Sequence, residues 1–94
     1  MIQTVIKRDG SKEPFDSAKM YRSIMSAAKE SGLMDIQAKN IADQVSVAVL
    51  QVINKKEEIT TEGLRKEVFK ELDRVAPKAA DAWKVYEHLR TTNR

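Results

Sequence analysis

Two lysines, an arginine and a threonine stand where they could hold a phosphate. Lys7 and Arg8 precede Asp9-Gly10, Lys19 follows Asp16 by three residues, and Thr60-Thr61 opens a later helical stretch. Lys19 is the most informative of them. Asp16 is a good N-cap, so Lys19 falls in the first turn of a helix, where a capping box would place Glu or Gln. A cation there works against the helix dipole by a few tenths of a kcal/mol. A bound anion reverses that balance, because unpaired first-turn N–H groups, the dipole and the ammonium all favour a phosphate. The plain alternative is a solvated lysine. Lys7 and Arg8, read as strand neighbours, point to opposite faces. One then reaches inward over the helices, or both are edge-strand charges that block aggregation. Thr60 or Thr61 caps a helix or donates to a phosphate. Arg90, near the chain end, reaches the same site or stabilises a helix C-terminus.

Other chemistry is excluded by composition. The chain has no cysteine, so disulfides, thiolate nucleophiles and cysteine zinc sites are absent. His88 is the only histidine and reads as an exposed helical residue. With three glycines there is no P-loop and no G-x-G-x-x-G. Carboxylates are numerous, but spacing singles out none. Catalysis by this chain is not expected. A net charge of +3 is too small to argue for nucleic acid. No apolar run approaches the roughly 18 residues of a membrane span, and Met1-Ile2-Gln3-Thr4 lacks the features of a signal peptide. These features suggest a cytoplasmic, soluble domain without a membrane partner.

The elements that position these residues follow from pattern. Ninety-four residues make one domain. Asp9-Gly10 between two short runs predicts a β-hairpin over about 3–15 with a type I′ turn, and Pro14 suits the end of an edge strand. Everything after Phe15 reads as helix. Met20, Ile24, Ala27 and Ala28 form one stripe of a helix over about 17–31, which Gly32 stops. Asp35 caps a second helix over about 36–54, with Ile41, Val45, Ala48, Val49 and Val52 inward. Asn54 to Glu58 is a polar connection. Leu64, Val68, Leu72 and Val75, with Phe69 beside them, line a third helix over about 61–75. Pro77 opens a fourth over about 77–91, with Ala80, Trp83, Tyr86 and Leu89 on its apolar side. Trp83, Tyr86 and Phe69 read as core rather than as base-stacking platforms. The first 30 residues carry six basic and four acidic groups, and residues 63–94 carry eight and five. Packing of the last helix beside the hairpin would bring both positive segments together. The expected fold is α+β, mostly α: a hairpin lid over a small four-helix bundle.

Val5-Ile6-Lys7-Arg8-Asp9-Gly10, followed by Glu13, Phe15, Asp16 and Lys19, resembles the opening of the ATP-cone family. These are regulatory nucleotide-binding domains of ribonucleotide reductases and of a bacterial repressor of reductase operons. The resemblance continues through Glu58-Ile59-Thr60-Thr61-Glu62 and from Ala79-Ala80 through Tyr86 to Arg90, covering about residues 3–91. It implies a hairpin lid over a helical bundle that clamps ATP or dATP, with Mg²⁺ sharing the triphosphate charge. Carried over by position, Val5, Lys7, Glu13, Phe15, Asp16 and Met20 line the base and sugar. Arg8, Lys19, Thr60 and Arg90 meet the phosphates. Leu64 stands where some relatives present a polar or aromatic group to the base, so that contact is apolar here. The reductase's cysteines and the repressor's zinc ribbon are both missing, so the chain is expected to be an excised domain or a free-standing cone.

The resulting expectation is a nucleotide sensor that shifts association or domain packing through linkage. Its partner would be a reductase subunit or a second copy of itself. Two rivals stand beside it: a small helical nucleic-acid-binding domain, disfavoured by the interspersed acids, and a protein-interaction module with an exposed apolar stripe.

Overall fold

A computed structural model shows four helices and a small sheet. It describes the backbone over residues 1–92 and the side chains over residues 1–85. Strands β1 (Thr4–Ile6) and β2 (Lys12–Pro14) pair antiparallel, with Val5 opposite Glu13. The turn between them is not the expected two-residue type I′. The Lys7 carbonyl accepts from the Gly10 N–H at 2.9 Å, and the Lys7 N–H donates to the Ser11 carbonyl at 2.8 Å. Of the turn residues only Gly10 takes a positive φ, 87°. This is the longer turn that closes with a glycine bulge. Type I′ would also need Asp9 left-handed. Instead the Asp9 carboxylate accepts from the Ser11 N–H (2.9 Å) and hydroxyl (2.6 Å), a local bond typical of Asp in turns. Lys7 and Arg8 therefore sit in the turn beyond β1, and strand alternation does not separate them.

The hairpin is also not alone. Strand β3 (Glu58–Thr60) pairs parallel with β1, giving the order β2-β1-β3. Its first residue, Glu58, lies in the stretch read as a polar connection. Only Ile59 of this strand is buried, and three residues are too few for a period of two to stand out. The third strand adds a partner to a hairpin that would be marginal by itself.

Helix α1 (Ser17–Glu30) starts at the Asp16 cap and buries Met20, Ile24, Ala27 and Ala28, the predicted stripe. Gly32, at φ 101°, follows its end. Helix α2 (Asp35–Ile53) begins one residue earlier than expected. Asp35 is its first helical residue rather than its cap, and the Met34 N–H donates to Gln37 Oε1 at 3.1 Å. Its inner face also differs. Ala38, Ala42, Val45, Ser46, Val49 and Ile53 are buried, while Ile41 and Ala48 are half-buried and Val52 is exposed. Twelve of the 19 residues of α2 are apolar or small, with an unbroken run from Val45 to Leu50, so several stripes compete, and the packed one favours alanines that admit close neighbours.

Helix α3 (Thr61–Val75) buries Val68 and Leu72, with Leu64, Phe69 and Val75 packed against the core. Helix α4 (Pro77–Thr92) opens on Pro77 and buries Ala79, Ala80 and Trp83. Tyr86, His88, Leu89 and Arg90 lie outside the residues whose side chains are described. The main packing partners of α1 are α2 and α4, and those of α3 are again α2 and α4. Helix α4 is thus seated between α1 and α3. A hydrogen bond joins Tyr21 of α1 to Asp43 of α2; it holds the Asp43 carboxyl below its ordinary range and pushes the Tyr21 hydroxyl up. Ile2, Val5 and Ile59 join the helical interior in one core. The architecture is a mostly helical α+β fold with a three-stranded sheet formed by the N-terminal hairpin and β3. Among the described residues no helix is long and apolar enough to cross a membrane.

Candidate ligand-binding cleft

The first turns of α1 and α3, the hairpin and Trp83 line a cleft of about 1090 Å³. From β1 and the turn come Val5, Ile6, Lys7 and Arg8; from β2 and the segment after it, Glu13, Pro14, Phe15 and Asp16. Helix α1 contributes Ser17, Lys19, Met20 and Ser23. The β3–α3 junction gives Thr60, Thr61 and Glu62, and α3 adds Leu64, Arg65 and Val68. The sequence-chosen positions Val5, Lys7, Arg8, Glu13, Phe15, Asp16, Lys19, Met20 and Thr60 all line this one cleft. Arg90 lies outside the described side chains.

Helix caps set the geometry of the floor. Asp16 accepts from the Lys19 N–H at 3.1 Å, so the carboxylate already occupies one of the first-turn donors. The α1 N-terminus therefore offers its dipole and the Lys19 ammonium, with one N–H fewer than the bare helix end would. Thr60 Oγ1 accepts from the Gly63 N–H at 3.0 Å and caps α3. Its own hydroxyl proton stays available to a ligand. Thr61 does something different: its hydroxyl donates to the Ile6 carbonyl at 3.3 Å and ties the start of α3 to the end of β1. Gly63 keeps this corner uncrowded. A Cβ there would lie 3.0 Å from Thr60 Oγ1 and 3.3 Å from Ile59 Cγ1.

The walls are chemically divided. Val5, Met20, Val68 and Trp83 are buried, and Phe15 and Leu64 are half-buried against the same core. At the rim, Arg8 and Lys19 are exposed and neither forms an ion pair within the described residues. Lys7 does: its Nζ lies 3.2 Å from Glu13 Oε2, both about two-fifths exposed. Such a pair is worth only about 0.2–1 kcal/mol, so an incoming anion competes for Lys7 at little cost. The Asp9–Ser11 hydrogen bonds hold the Asp9 carboxyl below its ordinary value of 3.8.

Arg65, half-buried in the cleft wall, was not singled out by motif. It lies one helical turn after Thr61, and that i, i+4 spacing puts both on one face of α3. It brings positive charge from the C-terminal part of the chain to the cleft through α3. Trp83 belongs to the core, as expected, and is also a cleft wall. No three His, Cys, Asp or Glu side chains gather as a metal site among the described residues.

A cationic rim over an apolar wall describes a small ligand-binding domain, suited to a molecule with an anionic end and a flat, poorly hydrated end. The chain belongs to the ATP cone domain family, which it matches over residues 3–92. It is also 33% identical over 69 residues to the transcriptional repressor NrdR of Crocosphaera subtropica. That stretch is 73% of this chain and 36% of the repressor, so the chain spans only about a third of that relative's length.

Proposed function

We propose that this chain is a regulatory adenine-nucleotide-binding module, not an enzyme, and that ATP or dATP occupies the cleft. The supporting observation is the division of the cleft itself in a chain of the ATP cone family: Lys7, Arg8 and Lys19 at the rim, with Val5, Met20, Leu64 and Val68 behind them. The triphosphate, carrying Mg²⁺, meets Arg8, Lys19 and Thr60. The base and sugar lie against Val5, Phe15 and Met20, near Lys7, Glu13 and Asp16. Bound nucleotide then changes how the domain packs against a partner, by the difference in its affinity for the two arrangements. That partner is a reductase subunit, a second copy of the chain, or a transcription-control region of the kind the repressor relative suggests.

Isothermal titration with ATP, dATP and GTP, each with Mg²⁺, tests the reading. Saturable binding near micromolar, about −8 kcal/mol, with adenine preferred over guanine, is the expected result. Absence of heat together with absence of thermal stabilisation at millimolar nucleotide would remove it. DNA binding that collapses with added salt would favour the nucleic-acid reading instead.

A further inference from the structure

Thr60 and Thr61 stand side by side at the start of α3 and both line the cleft, yet their hydroxyls do different things. Thr60 caps its own helix and keeps its proton for a ligand. Thr61 gives its proton to the Ile6 carbonyl, 55 residues earlier in the chain, at 3.3 Å. The Asp16, Ser23 and Thr60 bonds at the cleft each close within three residues and shape one element apiece. The Thr61 bond joins two walls. Its acceptor ends β1, and the register of β1 with β3 stops at the Ile6–Thr60 pair. Beyond Ile6 the chain enters the turn that carries Lys7 and Arg8. The backbone bonds of that turn, from the Lys7 N–H to Ser11 and from the Gly10 N–H to Lys7, run within the hairpin. Thr61 therefore holds the hairpin tip to α3 where the strand ladder no longer does. The length of the bond matters too. An ordinary O–H···O bond spans about 2.5–3.0 Å, so this one is slack, adds little to the fold, and has room to shorten.

We infer that Thr61 is a positioning residue for the phosphates: its hydroxyl sets the span between Arg8 on the hairpin turn and Thr60 on α3, and its bond to Ile6 tightens when a polyphosphate draws the two together. This rests on the nucleotide reading above. Thr61 acts through the Ile6 carbonyl and not on the ligand. Arg8 is exposed and forms no ion pair among the described residues, so its place is set by the backbone that carries it. Val5 and Met20, against which the base lies, are buried in the core, and Val5 is paired on both sides within the sheet. Loosening the Thr61 junction leaves them where they are. The effect of Thr61 therefore falls on the charged end of the ligand and grows with the number of phosphates that span Arg8 and Thr60.

Thr61→Val keeps the branched shape and loses the donor, whereas Thr61→Ser keeps the donor. ATP, ADP and AMP, each with Mg²⁺, are titrated calorimetrically into the wild-type chain and both variants, with a thermal melt of each protein. Thr61→Val should bind ATP roughly 3- to 10-fold more weakly than the wild type. The loss should be smaller for ADP and smallest for AMP, and the melting temperature should stay close to that of the wild type. Thr61→Ser should bind ATP as the wild type does. In the ¹³C-labelled wild type the Ile6 carbonyl resonance should move downfield as ATP saturates, and it should move less in Thr61→Val. Wild-type ATP affinity in Thr61→Val, or an equal loss for all three nucleotides, would overturn the inference while leaving the nucleotide reading intact. Failure of the wild type to bind ATP would remove the nucleotide reading, and the inference with it. Should Thr61→Val melt early, titrations below its transition still decide, through the ratio of its ATP loss to its AMP loss.

Discussion

The packed interior and the cleft are built from the same helices but obey different rules. In the interior, Ile24, Val45, Val49 and Leu72 are wholly buried, and Ala28, Ala38, Ala42, Ala79 and Ala80 let neighbouring backbones approach. Burial of apolar area sets the energies there. At the cleft, the side chains that matter are half-exposed or exposed and charged, and each comes from a helix end, a turn or a strand end. Their placement is fixed by local bonds, Asp16 to the Lys19 N–H, Thr60 to the Gly63 N–H and Asp9 to Ser11, and by one long-range bond from Thr61 to the Ile6 carbonyl. The interior holds the chain together. The cleft is held in shape by caps and turn bonds, each worth on the order of 1 kcal/mol, and its charged rim is left for a ligand.

The sharpest way to break that division is in the interior. Leu72→Ala should cost about 2–5 kcal/mol, since Leu72 is fully buried and the cavity cannot fully collapse. Urea denaturation measures it. A loss under 1 kcal/mol would mean that α3 is held mainly by its ends. Next comes the α3 corner. Thr60→Ala removes the cap and should cost about 1 kcal/mol. It should also weaken nucleotide binding, because the same hydroxyl faces the cleft. Unchanged affinity with reduced stability would make Thr60 a structural cap and nothing more.

Smaller still is the pH dependence of the hairpin turn. The folded-state pKa of Asp9 is depressed, so its contribution is present above the unfolded value and is lost as pH falls through the folded value, below 3.8. The Ser11 amide resonance should titrate in that acid range, and in Asp9→Asn that step should vanish. A Ser11 titration at or above 3.8 would contradict the turn geometry.

Legibility in the sequence follows the same boundary. The α1 stripe was readable because Met20, Ile24, Ala27 and Ala28 stand among polar neighbours, so burial and periodicity coincide. The α2 face was not, because Ile41, Val52 and their apolar neighbours offer several stripes, and close packing selected the one through Ala38 and Ala42. Strand β3 has one buried residue, Ile59, in three, too short a run for a period of two to show. Asp9-Gly10 announced a turn, yet the Asp9–Ser11 bonds chose its type. The motif residues of the cleft were visible through resemblance. Arg65 and Trp83 were not assigned there, because spacing alone does not say which elements share a cleft.

The central claim is that the rim cations bind nucleotide without holding the fold. It is tested most directly by titrating ATP with Mg²⁺ into the wild-type chain and the Lys7→Ala, Lys19→Ala double variant, with a thermal melt of each. Both substitutions are at the cleft, and Lys7 loses only the exposed pair with Glu13. The account predicts saturable binding by the wild type, none detectable by the double variant, and nearly equal melting temperatures. Equal affinity in two equally stable proteins would contradict it.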